Sequence, residues 1–359
     1  MTETDFIPSA YSKTLETGKV TWESPSNIAL VKYWGKKENQ IPANPSISFT
    51  LNNCKTITEL SYRTKESDTD FSFEVYLDGE KKDDFKPKIE TFLKRIHVYL
   101  PFLKNYHFKI ETSNTFPHSS GIASSASGMS ALALCFMSME KQLKPKMTTN
   151  YFNQKASFLA RLGSGSACRS LEGDIIVWGQ TDAISGSSDL YGTKYPYQVH
   201  ENFKDYQDTI LLVDKGEKQV SSTVGHNLMH AHPYAENRFK QAHENLEKLK
   251  PILESGDLNK FIALMESEAL TLHAMMMTSM PYFILMKPNT LEIINKIWSF
   301  RERTGLHIGF TLDAGANVHV LYPKKEANVI LDFIKNELVA YCQNEQYICD
   351  QIGFGANQL

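Results

Sequence analysis

From Ala123 to Met139 the chain reads ASSASGMSALALCFMSM, small or apolar throughout and without a charged residue. A helix that is apolar on every side has to be covered on every side. The run therefore demands a layered fold with this segment inside it. Its most apolar part, Met129 to Met139, contains two serines and falls short of the ~20 residues a bilayer-spanning helix needs. We read it as a helix of a protein core, beginning at Ile122, and expect no membrane residence.

The segments around it carry both periods. Asp70 to Leu77 alternates, with Phe71, Phe73, Val75 and Leu77 on one side, and Asp78-Gly79 closes it as a turn. Helical spacing runs through Phe85–Leu100, Asn150–Leu162, Asp257–Met276, Pro288–Thr304 and Glu326–Cys342. Pro288 near a start and Gly305 after an end follow the usual asymmetry of helix termini. Short strands are expected at Phe108–Ile110, Asp174–Trp178, Ile210–Val213, Ile308–Leu312 and Val318–Tyr322, with a loop from Thr112 to Ser120. Strands and helices do not follow a regular βαβα order, which favours an α+β fold over a doubly wound sheet. The polar stretch Gly192–Asp208 reads as a boundary between two domains, 1–207 and 208–359.

Composition narrows function by exclusion. The 359 residues can build two cores, and a formal net charge of −3 gives no global field for nucleic acid. Five scattered cysteines form no zinc pattern and read as reduced thiols. The polar opening MTETDFIPSAYSK does not look like a secretory signal.

Four motifs carry chemistry. In Pro117-His-Ser-Ser-Gly-Ile-Ala-Ser-Ser-Ala-Ser-Gly128 a glycine-serine loop precedes a helix. Unpaired backbone N–H groups, hydroxyls and a helix N-terminus can cradle phosphate there. The same residues would also suit a helix packed closely on a neighbour. The run is neither a Walker A sequence nor GxGxxG. Ser24-Pro-Ser-Asn-Ile-Ala-Leu-Val-Lys-Tyr-Trp-Gly-Lys36 places Lys32 and Lys36 about an aromatic pair, with a turn expected at Gly35. Two solvated lysines are the plain alternative. Gly163-Ser-Gly-Ser-Ala-Cys-Arg-Ser170 offers Ser164, Ser166 and the planar fork of Arg169 to a carboxylate or phosphate, or is an ordinary loop with a salt-bridged arginine. Asp313-Ala-Gly-Ala-Asn317 sets an acid at a strand end, as a general base, a metal ligand or a turn residue bonded to backbone. Of the other candidates, Ser221–Gly225 reads as a weak polar loop or N-cap. His226, His230 and His232 read as helix-surface residues, and Met275–Met277 as core filling. One acid, two lysines, one arginine and an anion loop together fit phosphoryl transfer.

All four motifs resemble those of the diphosphomevalonate decarboxylase family, within the galactose, homoserine, mevalonate and phosphomevalonate kinase superfamily. Asn27-Ile-Ala-Leu-Val-Lys-Tyr-Trp-Gly-Lys36 is similar to its N-terminal signature, followed by Pro45-Ser-Ile-Ser48. Gly121-Ile-Ala-Ser-Ser-Ala-Ser-Gly128 is similar to its ATP loop, and Ser164–Arg169 and Asp313–Asn317 follow in the family's order. The resemblance implies an N-terminal domain like ribosomal protein S5 domain 2 and a ferredoxin-like C-terminal domain, with the active site between them. It implies ATP and Mg2+ as cofactors, mevalonate 5-diphosphate as substrate, and a cytoplasmic homodimer.

It also implies roles. Asp313 would take the proton of the 3-hydroxyl or orient that hydroxyl, Lys32 would hold Asp313 ionised, and Arg169 would grip the substrate carboxylate. Asn27, Tyr33, Lys36, Ser164 and Ser166 would contact the substrate and its diphosphate. Gly121, Ala123, Ser124, Ser125, Ser127 and Gly128 would bind the nucleotide phosphates, while the metal ligands stay unnamed. The chain departs from the family's pattern at His118-Ser-Ser120 and at Glu172-Gly-Asp-Ile175. Glu172 and Asp174 would oppose an anion if they faced it; we expect them to point outward. Two other readings stay open: a kinase or decarboxylase acting on a monophosphate or stopping at the phosphate ester, and a nucleotide- or metabolite-binding protein without catalysis.

Overall fold

The computed structural model describes residues 1–66, 70–117, 122–214 and 222–359, with backbone alone at 222–223. Two sheets carry the chain, as an α+β fold should. The first is built on two long antiparallel strands, β1 (Thr17–Val31) and β2 (Ser46–Thr64), paired from Thr17↔Arg63 to Val31↔Ile47. Register shifts near Pro25 and Ala29 bend β1, as bulges do where a proline cannot donate. β3 (Ser72–Leu77) and β4 (Glu80–Lys81) form a hairpin, and β5 (Tyr106–Asn114) lies between β2 and β3, parallel to β3. β6 (Ile175–Trp178) adds to the far end of β2, and β7 (Thr193–Lys194) adds to β6.

The second sheet has the order β11-β8-β10-β9, from β8 (Gln207–Leu211), β9 (Gly309–Leu312), β10 (Val318–Tyr322) and β11 (Tyr347–Gln351). A last short strand, β12 (Asn357–Gln358), returns to β1 of the first sheet.

The helices are α1 (Lys86–Ile96), α2 (Ser124–Leu143), α3 (Thr149–Gly163), α4 (Ser222–Asn227), α5 (Ala235–Ser255), α6 (Leu258–Met277), α7 (Pro288–Thr304) and α8 (Ala327–Phe333). The chargeless run is α2, and it is buried nearly all round. It shares one core with β1, β2 and β5 on one side and α1 and α3 on the other. A second core, including Ile47, Phe49, Phe203, Tyr206, Leu246 and Phe261, joins the first sheet to β8, α5 and α6.

Several expectations change in detail. The helix read as Phe85–Leu100 ends at Ile96, because Pro101 drives Leu100 out of the helical region (φ −138°, ψ 68°). β5 extends through Thr112–Asn114, which were read as loop. Glu326–Cys342 is α-helical over Ala327–Phe333, then widens into a π turn and tightens into a 3₁₀ turn, and two strands follow it. The strands β1 and β2 and the helix α5 were not read from the sequence as elements. Their signals are visible in retrospect: Cys54, Thr56, Thr58, Leu60 and Tyr62 alternate inward, and Ala242, Leu246, Leu249 and Leu253 recur ahead of Gly256, which takes a left-handed φ of 76°. All five cysteines are free, and among the described residues no helix is long and apolar enough to cross a membrane.

Candidate active site

β1 ends at Val31, so the backbone of Lys32 leaves the sheet without ladder partners. Buried side chains replace them. Glu268 Oε2 accepts the Lys32 N–H at 2.9 Å, while Asn44 Nδ2 and Arg238 Nη2 donate to its carbonyl at 2.9 and 3.0 Å. Glu268 is in turn gripped by both terminal nitrogens of Arg238, at 2.6 and 3.0 Å, and by Asn245 at 2.6 Å. Arg238 and Glu268 are fully enclosed. The result fixes where the Lys32 ammonium points: it donates to Asp313 Oδ1 at 3.0 Å, with the lysine side chain 1% exposed and the aspartate 33%.

Asp313 stands at the end of β9, in the tight connection to β10. The ring of His273 on α6 donates from Nε2 to the Asp313 carbonyl at 3.1 Å, fixing that turn from behind. Burial pulls the Lys32 pKa below the usual lysine range, against the opposing pull of Asp313.

Arg169 lies in a 3₁₀ turn between α3 and β6 and is 3% exposed. Asn27 Oδ1 accepts from its Nε at 3.3 Å, Ser46 Oγ accepts from Nη1, and the guanidinium sits 5.9 Å from the Trp178 ring. Tyr33 packs on Trp178 with centroids 4.6 Å apart. Gly165 is needed here, since a Cβ on it would come within 2.8 Å of Trp178 and 3.0 Å of the Tyr33 hydroxyl.

These groups line one cleft of about 800 Å³. Asp313, Lys32, Tyr33, Lys36, Ser164, Ser166 and Arg169 stand on its wall together with Ala123, Ser124, Ser125 and Gly128 from the start of α2. Ala123 holds a left-handed conformation (φ 47°) at that start, a strain that clusters where backbone is shaped around a ligand. Lys88 and Arg95 of α1 also line the cleft, and Lys88 donates to Ser125 Oγ at 2.8 Å. Asp313 is the single carboxylate among the described lining residues.

Two expected ligand contacts lie elsewhere. Ser127 is fully buried, its hydroxyl 2.6 Å from Thr56 Oγ1, and ties α2 to β2 instead of facing the cleft. Asn27 is buried too and touches Arg169 and Ser170, so it acts on the site through the arginine. Gly121, with His118–Ser120 and Ser221, lies outside the described residues.

Glu172 and Asp174 do face away. Asp174 pairs with Lys194 at 3.1 Å on the surface, and Glu172 accepts from Asn153 at 3.3 Å. The reading of the three nearby histidines as surface residues holds only for His230. His226 is buried on the cleft wall, and His232 is buried against Met275 and Thr278. Met275 and Met276 fill core, while Met277 is exposed.

The sequence reading also missed Glu268, Arg238, Asn245, His226 and His273. A usable signal existed for Glu268, which falls on the apolar stripe of α6 between Met265 and Leu272.

His226 and His273 predict a pH effect. Burial, aided by nearby positive charge from Lys36 and Arg169 at His226 and from Lys32 at His273, drives their pKa values down to about 3 and about 4. In the unfolded chain each titrates near ~6.5. Below that pH the unfolded state binds the extra protons, so stability is lost on acidification, by up to ~1.4 kcal/mol per pH unit for each ring. The melting temperature should fall between pH 7 and pH 5, with a shallower slope in His273→Gln. An unchanged slope would contradict the neutral assignment.

A cleft of cations around one lysine-paired carboxylate, opening onto a glycine-serine helix start, defines a GHMP-kinase-like α+β protein. The family model of the diphosphomevalonate decarboxylase-like N-terminal domain matches residues 24–190, and that of the mevalonate 5-diphosphate decarboxylase C-terminal domain matches residues 209–354. The chain therefore belongs to the diphosphomevalonate decarboxylase family. It is 28% identical to a diphosphomevalonate decarboxylase of Ganoderma lucidum over 94% of this chain and 86% of that one. The mevalonate diphosphate decarboxylase of Staphylococcus aureus superposes with a TM-score of 0.81 at 27% identity, over 96% of this chain and 98% of its own. A solved complex of MDDEF with MVAPP, AMPPCP and magnesium gives 0.81 at 25% identity, over 96% and 99% of the two chains.

Proposed function

We infer that this chain is an ATP-dependent decarboxylase that converts mevalonate 5-diphosphate into isopentenyl diphosphate in the mevalonate pathway of isoprenoid biosynthesis. The observation that carries this reading is the Lys32–Asp313 pair at 3.0 Å, on the wall of the same cleft as buried Arg169 and the start of α2.

ATP phosphates would lie against Ala123, Ser124, Ser125 and Gly128, with Lys88 beside them. The apolar end of the cleft, formed by Val75, Leu77, Phe85, Ile89 and Ile110, would take the adenine. Among the described residues no three metal-ligating side chains cluster. That suits Mg2+ carried in on nucleotide phosphates, which keeps most of its ligands from phosphate and water. The hydroxyl of Ser124 and the carboxylate of Asp313 are oxygen donors the cleft could offer it, and the ion would neutralise phosphate charge.

Asp313 accepts the proton of the tertiary 3-hydroxyl as that oxygen bonds to the γ-phosphorus and the bond to ADP breaks. Because such transfer is loose, holding the hydroxyl in line counts for as much as basicity. Phosphorylation turns a poor leaving group into a good one. The C3–O bond then breaks with its electron pair going to phosphate. The electrons of the bond to the carboxylate carbon become the new double bond, and CO2 departs. Arg169, held rigid by Asn27 and Ser46, orients that carboxylate through its remaining donors.

Domains 1–207 and 208–359 meeting at the cleft, and assembly as a cytoplasmic homodimer, belong to the same reading. Purified protein given ATP, Mg2+ and either mevalonate 5-phosphate or mevalonate 5-diphosphate tests it. Turnover of the diphosphate should exceed that of the monophosphate by at least an order of magnitude at equal concentration, because the cleft's cations exceed its carboxylates. Preference for the monophosphate would overturn the substrate assignment.

A further inference from the structure

His226 is 8% exposed and stands on the cleft wall, at the end of α4. Its ring packs at a tilt against Tyr33 and Trp34, with centroids 4.2 and 4.7 Å away. The helix that carries it is packed tightly on the same tryptophan, since a Cβ on Gly225 would come within 2.5 Å of the Trp34 ring. The imidazole therefore has little freedom to turn.

One hydrogen bond fixes its chemistry. The backbone N–H of Gly35 donates to His226 Nδ1 at 3.0 Å. A backbone N–H can only donate, so Nδ1 is the acceptor and the ring proton sits on Nε2. Among the described residues Nε2–H meets no protein acceptor, while Tyr33, Trp34 and the Gly35 N–H hold the ring. The charges acting on this ring are those of Lys36 and Arg169. The amine of Lys36 has no carboxylate partner among the described residues. A lysine, an arginine and an oriented N–H donor on one cleft wall suit an anion.

We propose that His226 is a specificity-determining residue for the substrate: as a neutral imidazole it donates a hydrogen bond from Nε2 to a phosphate oxygen of the 5-diphosphate, which lies between it and Lys36. The inference rests on the function proposed above and adds to it a residue and an atom. Neutrality is part of the design. Lys36 and Arg169 already act on this ring, and a further positive charge there would be repelled by them. An uncharged donor gives direction without that cost. The depressed pKa of the ring agrees with this assignment.

His226→Asn keeps an acceptor for Gly35 and removes the distal donor, whereas His226→Gln carries an N–H to the distal position. Dissociation constants for mevalonate 5-diphosphate, and separately for AMPPCP with Mg2+, would be measured by calorimetry on wild type and both variants. His226→Asn should weaken the diphosphate by about tenfold or more, the worth of a hydrogen bond to a charged group. It should leave AMPPCP within twofold, and His226→Gln should regain most of the loss.

The proposal is overturned if His226→Asn binds the diphosphate like wild type. It is equally overturned if His226→Asn weakens both ligands alike with no recovery in His226→Gln, the mark of a merely structural ring. If wild type itself does not bind mevalonate 5-diphosphate, the functional reading fails and takes this inference with it. Wild-type binding with indifferent variants would sink this inference alone.

Discussion

Asp313→Asn is expected to lower kcat by about 10²–10⁴-fold, the usual contribution of a positioned general base. The dissociation constants of both ligands should stay within a few-fold. The substitution is nearly isosteric, and the turn that carries residue 313 is held by its own backbone carbonyl through His273 at 3.1 Å. The cleft should therefore keep its shape while the atom that takes the proton is lost. The same change removes the partner of Lys32, which lies 3.0 Å from Oδ1 and is 1% exposed. An unpaired ammonium at such a site is costly. The lysine is then expected to shed its proton more readily, since burial already draws its pKa down and Asp313 was the chief opposing influence. Single-turnover measurement of ADP formation separates the two effects: a slowed chemical step with unchanged binding supports the assignment. Full activity in Asp313→Asn would remove Asp313 from the reaction.

The second large effect concerns a residue that does not line the cleft. Glu268→Gln should destabilise the fold by ~3–5 kcal/mol, the cost of breaking a buried ion pair and stranding one charge. Arg238 would keep its charge in a fully enclosed position with no carboxylate to meet it. Glu268 also receives the Lys32 N–H and the Asn245 amide, and Arg238 also donates to the Lys32 carbonyl. Losing the acid therefore loosens the backbone that aims the lysine. Denaturant unfolding should show the lower midpoint, and the folded fraction should turn over more slowly than wild type per active molecule. A variant as stable as wild type would mean that the Arg238–Glu268 pair contributes nothing net.

This contrast explains what could be read from the sequence. Lys32, Arg169 and Asp313 stand in short runs of glycine, serine and aromatic residues that have an unusual composition, and the fold brings all three to one cleft. The α+β class followed from strands and helices that alternate in no regular βαβα order. Glu268, Arg238 and Asn245 lie singly on helices α5 and α6, where a polar residue ordinarily faces water. Only their pairing across two helices, 23 to 30 residues apart, makes burial tolerable, and pairing at that distance leaves no local pattern. His226 was misplaced for a related reason. It lies close in sequence to His230, which is exposed, and nothing in the helix period distinguishes them; what buries His226 is Trp34, nearly two hundred residues earlier. The strands β1 and β2 escaped notice because the end of β1, around Asn27, and the start of β2, around Ser46, are buried on both faces and show no alternation.

The most direct measurement follows the carboxyl carbon. Protein incubated with ATP, Mg2+ and mevalonate 5-diphosphate labelled at its carboxylate should release labelled CO2, phosphate and ADP in equal amounts, with isopentenyl diphosphate as the organic product. ADP formed without labelled CO2, the label remaining in a 3-phosphorylated acid, would contradict the account and leave a kinase in its place.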